Sequence, residues 1–374
     1  MKKIITILTL IVTILAQAND GVYYTSGNQL VPLAETTISV SKEILTISIL
    51  DNGQAQVDVY YEFLNPNATP KTLLMGFEAD PSYNDDYKFH PNGKHPHIHN
   101  FTVEMNGQKI THKNAVSALD KFAPLNTAQW QLDDDMGLML VNKKTHQTLQ
   151  DYAYVYYFNA TFQPGINRIH HTYSYTMSET VGTAFEIPYK LSPAGRWAGG
   201  QIGDFTLIIR ADKTAKHFLV GKESLPGTKP QVIEGTCKLR DTDLYETPMW
   251  EVSLRNGAIQ FHATNFRPNP NRELHINAAN VLTSFNEQAR FGEFYDRSSV
   301  MDLYIYEMRD EDEKPDMDFV RRIAHNLPYA NRGRVFHNPE VKKYIESLWW
   351  YMPDPNYKDD TSDFTKSDWE YIRY

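Results

Sequence analysis

Val57, Val59, Tyr61 and Phe63 fall on one side of an extended chain and Gln56, Asp58 and Glu62 on the other, directly after Asp51-Asn52-Gly53. Alternation at period two marks a strand with one buried face, and Asn-Gly tolerates the positive φ of a tight hairpin turn. The device recurs. Phe101, Val103 and Met105 alternate into Asn106-Gly107, and Tyr152, Tyr154, Tyr156 and Phe158 make an aromatic stripe ended by Pro164-Gly165. Residues 38–50 and 166–175 are further strand-length stretches. Short strands joined by tight turns predict a mainly β chain, a β-sandwich body in one or two lobes. Residues 19–200 form the expected sandwich domain and 201–285 a second β lobe, which can equally be continuous with the first. In that lobe Phe205, Leu207 and Ile209 alternate, and 250–254 is expected to meet 258–262 across Arg255-Asn256-Gly257.

The compartment follows from the first eighteen residues. Lys2 and Lys3 precede an apolar run over 4–16, and Ala16-Gln17-Ala18 supplies the small-x-small site of a secretory signal peptide. That run spans about 20 Å as a helix, short of a bilayer core of roughly 30 Å. Export to the periplasm or the extracellular space is therefore expected, with no transmembrane segment after cleavage. Cys237 is the only cysteine, so no intrachain disulfide can form and packing alone must hold the fold. Its strand-like setting reads as a structural thiol. The net charge of −9, or −11 without the two leader lysines, repels phosphate backbones and argues against nucleic acid as a partner.

The last ninety residues change character. Residues 286–314 connect the body to a helical C-terminal domain over 315–374. Met317, Val320, Ile323, Ala324 and Leu327 recur at helical spacing behind Pro315 and the cap candidate Asp316. Asn338-Pro339 opens a second helix with Val341, Tyr344, Ile345 and Leu348 on one face, expected to run to Pro353. Ser367-Asp368-Trp369-Glu370 reads as the capping box of a short terminal helix.

In this region Tyr329-Ala330-Asn331-Arg332-Gly333, Phe336, Tyr344 and Trp349-Trp350-Tyr351-Met352-Pro353 resemble the YARHG domain, a bacterial extracellular module of unknown molecular function. Asn331 stands where the family name has Arg and Arg332 where it has His, so no role of that His carries over. The resemblance leaves two readings of the motif. Tyr329, Arg332, Trp349 and Trp350 are the candidate ligand-binding residues, while Gly333 at a helix end and buried aromatics explain the same residues as packing, which the small core favours. The body resembles the bacterial unknown-function family 4424 over roughly 19–282. The residues that carry this are Asn19-Asp20-Gly21-Val22-Tyr23-Tyr24, Glu35-Thr36-Thr37-Ile38, and the segment 162–173 with Pro164-Gly165 and His170-His171. It implies a β-rich extracytoplasmic protein with no assigned reaction.

His90, His95, His97 and His99 crowd into ten residues. On an extended strand the imidazoles of His95, His97 and His99 share a side and could converge on Zn²⁺, or on Cu²⁺ or Ni²⁺. Pro91, Gly93, Pro96 and the missing fourth ligand favour solvated loop histidines instead. No other cofactor is implied. The runs Asp133-Asp134-Asp135 and 310–313 read as solvated charge. Trp197 and 349–351 are the aromatics best suited to exposed contact. No His-Glu-x-x-His, Gly-x-Ser-x-Gly, P-loop or dinucleotide fingerprint occurs. The expected role is non-enzymatic: binding or scaffolding of a protein or glycan partner in the cell envelope. The competing class is an envelope-polymer hydrolase with a scattered active site.

Overall fold

The computed structural model describes residues 27–32, 37–81, 89–90, 92–118, 122–133, 139–180, 183–244, 247–269, 271–278 and 317–373. The leader, the motifs at 19–26 and 35–36, most of both acidic runs, the connector and the Asp316 cap lie outside these. The chain first forms β1 (Gly27–Pro32), β2 (Ser39–Ile49), β3 (Gln54–Asn65), β4 (Lys71–Ala79), β5 (Ile98–Met105), β6 (Gln108–Lys109) and β7 (Lys113–Ala118). Next come β8 (Trp130–Leu132), β9 (Leu140–Asn142), β10 (Thr148–Leu149), β11 (Tyr152–Phe162), β12 (Gly165–Thr176), β13 (Ser178–Thr180) and β14 (Thr183–Tyr189). The last strands among the described residues are β15 (Ile202–Ala211), β16 (Lys216–Gly221), β17 (Gln231–Leu244), β18 (Thr247–Phe266) and β19 (Leu274–Ala278). Three helices close the chain: α1 (Met317–Asn331), α2 (Pro339–Ser347) and α3 (Lys366–Arg373).

A four-stranded sheet, β1-β4-β11-β7, lies against the β3-β12-β5 part of a twelve-stranded sheet, and β8–β10 make a third, small one. The rings of Phe77 on β4 and Tyr173 on β12 are 4.9 Å apart, as are Phe77 and Phe101 on β5, while Phe162 meets Phe63 edge-on at 5.5 Å. The expected alternation is visible residue by residue: Val57, Val59, Tyr61, Phe63 and the whole 152–158 aromatic stripe are buried. Asn106 and Gly107 adopt φ of 52° and 80°, the type I′ geometry that closes β5 onto β6. Trp197, expected to be exposed, is 3% exposed and fills the end of this sandwich with its ring 4.5 Å from Phe63.

The large sheet continues past β2 because β15 pairs with it in parallel, Leu45 opposite Leu207. One hydrophobic core draws on both regions, Leu45 and Phe77 together with Phe205, Phe218 and Phe261. The hairpin expected at 255–257 does not form. β18 runs straight through as a twenty-residue strand, its first half against β16 and its second against β15, with β17 along the opposite side. Asn256 takes a left-handed φ of 44° without reversing the chain, and its N–H donates to the Asp212 carbonyl at 2.8 Å. Gly257 and Gly235 face each other so closely that a Cβ on Gly235 would lie 2.2 Å from the Asn256 carbonyl oxygen. The two glycines give a bulged crossing point where β17–β18 changes neighbours.

Candidate functional site: the helical tail, its seat and the free edge

The five-residue motif ends α1. The Arg334 N–H donates to the Tyr329 carbonyl at 3.0 Å and the Gly333 N–H to the Ala330 carbonyl at 2.9 Å, the paired bonds of a Schellman stop. Gly333 supplies the φ of +89° that the stop requires. The Arg334 guanidinium lies 4.9 Å from the centre of the Tyr329 ring, which also packs on Phe364 at 5.1 Å.

Arg332 binds the helices to one another. It donates to the Pro328 carbonyl at 3.0 Å, to Asp363 at 3.2 Å and to the buried Asp368 at 2.9 Å, and its guanidinium lies 4.1 Å from the Phe364 ring centre. Asp368 is also the capping carboxylate of α3, accepting the Thr365 N–H at 2.8 Å while Thr365 Oγ1 accepts the Asp368 N–H at 3.2 Å. The capping box therefore starts at Thr365, two residues before the expected Ser367, because Asp368 is held in place by Arg332. The α2 cap is as expected, with Asn338 Oδ1 accepting from Glu340 and Val341 at 3.1 Å each. That helix stops at Ser347 rather than Pro353, since the chain leaves it to carry 349–352 onto the body.

Those residues seat the tail. On the outer face of β16, β18 and β17, Leu219, Glu251 and Arg240 are cross-strand neighbours, then His217, Ser253 and Lys238, then Arg255 and Thr236. Trp350, expected to be exposed, is 1% exposed: its ring sits 5.2 Å from His217 and its carbonyl accepts from Ser253 Oγ at 3.2 Å. Trp349, half-buried, has the Arg240 guanidinium 4.4 Å from its ring centre. The Asn331 carbonyl accepts from the Ala215 N–H at 3.3 Å. Gly333 lies directly on Arg255, where a Cβ would collide with Nη1. Arg240 forms a bidentate pair with the buried Glu251, at 2.6 and 3.1 Å. Both ring nitrogens of His217 and Nη1 of Arg255 are buried without a hydrogen-bond partner among the described residues. Burial holds the His217 imidazole neutral, down to about 3, and lowers Arg255. Sequence reasoning missed this seat, whose residues look like an ordinary polar strand face.

The same hairpin has an open side. Among the described strands β17 pairs with β18 alone. Residues 231–236 are exposed, including Val232 at 46% and Ile233 at 45%. Cys237 follows, half-buried against the core, its thiol pushed up to about 12 by burial and hence a poor nucleophile at neutral pH.

The histidine loop is assembled differently from the expected strand face. β5 begins only at Ile98, so His95 and His97 precede it, His97 in a turn, and His99 lies exposed on the strand. His95 is 2% exposed rather than solvated. Its Nε2 hydrogen-bonds the Asp80 carbonyl at 2.9 Å and its Nδ1 accepts the His97 N–H at 3.1 Å. With both nitrogens engaged it offers no lone pair to a metal. Burial lowers His95 to about 3 and His97 to about 4. Among the described residues no group of three or more His, Cys, Asp or Glu is placed to hold a metal ion. Nor is any helix among them long and apolar enough to cross a membrane.

Among curated proteins nothing matches the chain. Of solved structures, a Legionella pneumophila protein provisionally described as nutrient binding is 17% identical, with 95% of this chain and 99% of that one covered and a TM-score of 0.48. An M1 zinc metallopeptidase from Deinococcus radiodurans is 10% identical over 66% of this chain and 43% of its own, with a TM-score of 0.29. Baculovirus P35 is 11% identical over 67% and 98%, with a TM-score of 0.24. The unknown-function match ends well before the expected residue 282, leaving the 162–173 segment outside it. Residues 310–374 match the YARHG domain, and residues 18–134 of the body match the domain of unknown function DUF4424.

Proposed function

We propose that this is a non-enzymatic binding or scaffolding protein of the cell envelope, exported by its leader, which takes up an extended polypeptide segment along the edge of β17. The observation that carries this reading is the exposed edge at 231–236, with two adjacent β-branched apolar side chains at Val232 and Ile233. A free edge offers a row of main-chain donors and acceptors, and an added strand gains those bonds while alternate side chains give selectivity. The YARHG match supports an extracytoplasmic setting. The tail's motif residues support it indirectly, since Arg332 and Trp350 are used inside the molecule and leave the recognition to the body.

The test is a photo-crosslinking residue in place of Ile233 in the full chain, activated in the producing cells. A discrete adduct with an envelope polypeptide is expected, and it should vanish when Val232→Lys is added. No adduct, or one indifferent to the lysine, rules out strand uptake at this edge.

A further inference from the structure

The seam between tail and body has the composition of a binding surface with a temporary tenant. The body contributes Lys238, Arg240 and Arg255 against the single carboxylate of Glu251, so this face carries a net positive charge. The tail lays aromatic rings on it, Trp349 on Arg240 and Trp350 on His217. It then turns at Pro353 so that the Asp354 N–H donates at 2.8 Å to the Gly333 carbonyl, immediately beside Arg255. The fit is incomplete. The hydrogen bonds named across the seam are long, 3.2 and 3.3 Å. Arg255 Nη1, both His217 nitrogens and Asn331 Oδ1 are buried without hydrogen-bond partners. Interiors rarely leave such groups unpaired, and a donor stripped of both water and partner weakens the interface that buries it. Contacts between domains of this polar kind open readily.

We propose that the outer face of β16, β17 and β18 is a peptide-binding surface whose built-in occupant is the tail segment 349–354, and that a partner peptide pairing aromatic residues with a nearby carboxylate competes for the same seat. The chemistry of the ligand is read from the occupant: a ring for Arg240, a ring for the His217 and Ser253 row, and an acid within reach of Arg255. Such a carboxylate can take the Nη1 donor that the tail leaves unused, which gives an incoming peptide a bond the resident segment lacks. The surface is the face of the hairpin and not its edge, so it stands or falls independently of strand uptake at Ile233.

The probe is a fluorescently labelled synthetic peptide with the sequence of residues 347–356, titrated into the full chain and followed by anisotropy. Two variants loosen the resident segment. Gly333→Ala drives a methyl group into Arg255, and Asp354→Lys sets two cations together. Circular dichroism verifies that the strands persist, and Asp354→Lys carries the test should Gly333→Ala fail to fold. Affinity for the peptide is expected to rise at least tenfold in the loosened variants over the native chain. It should fall at least tenfold again when Arg255→Glu is added, or when the peptide's own aspartate is replaced by lysine. Loosened variants that bind no better than the native chain, or binding indifferent to Arg255→Glu, would overturn the proposal.

Discussion

Acid should begin to destabilise this protein above the range in which carboxylates titrate. His95, His171 and His217 are each buried and each held to about 3 by loss of solvation, and His171 has both nitrogens buried without partners among aromatic rings. In the unfolded chain a histidine titrates near 6.5. Above that value both states are neutral and the groups contribute nothing to the pH slope. Below it the unfolded chain takes up protons that the native state refuses, and each group removes about 1.4 kcal/mol of stability per pH unit until the pH nears 3. Three groups together remove about 4 kcal/mol per unit, so falling from pH 6 to 4.5 costs about 6 kcal/mol, comparable to the whole stability of an ordinary domain. His97, lowered to about 4, acts in the same direction. The measurement is urea unfolding at pH 7.5, 6.0, 5.5 and 5.0, with His171→Phe alongside. That variant should be close to native in stability at pH 7.5 and lose about a third of the slope. A native slope below about 1.4 kcal/mol per unit between pH 6 and 5, or an unchanged slope in His171→Phe, would refute the reasoning.

Other substitutions separate the tail from the body. Arg332→Met leaves Asp368 buried without its cation and should cost the tail about 3–5 kcal/mol, seen as loss of the helical signal at 222 nm while the strand signal stays. Gly333→Ala should cost about 1–2 kcal/mol for the left-handed backbone, plus the displacement of Arg255. In a double-mutant cycle with Arg255→Ala only the second part should disappear, so strict additivity in urea midpoints would deny the contact. Trp197→Ala empties the space against Phe63 and Phe162 and should lower the body's stability by about 3–5 kcal/mol, read from the strand signal in the same titrations.

How much was legible in the sequence depended on how local the cause was. Alternation at 57–63 and the Asn106-Gly107 turn are read from a few adjacent residues and came out as expected. The caps at Asn338 and Gly333 are local in the same sense. Asn256-Gly257 has the same letters as a hairpin turn, yet the chain continues, because Gly235 from another strand occupies the inside of the bend and β15 and β16 claim the two halves of β18. Trp197 and Trp350 look like surface aromatics in sequence; each is covered by a ring more than a hundred residues away in the chain, Phe63 for the first and His217 for the second. The three histidines alternate in sequence, but period two places side chains together only where the backbone is extended, and β5 starts after His97. The seat under the tail gave no signal, since an outward polar strand face reads the same whether water or a helix pair covers it.

The parallel pairing of Leu45 with Leu207 sets an order of events during folding. β2 and β3 can join early as a hairpin, but the other edge of β2 has no mate until β15, some hundred and sixty residues further along the chain, is in place. Contacts this far apart form slowly, and a bare edge meanwhile invites pairing with other nascent chains. A holding factor that shields β2 until β15 appears would therefore raise the yield of native protein.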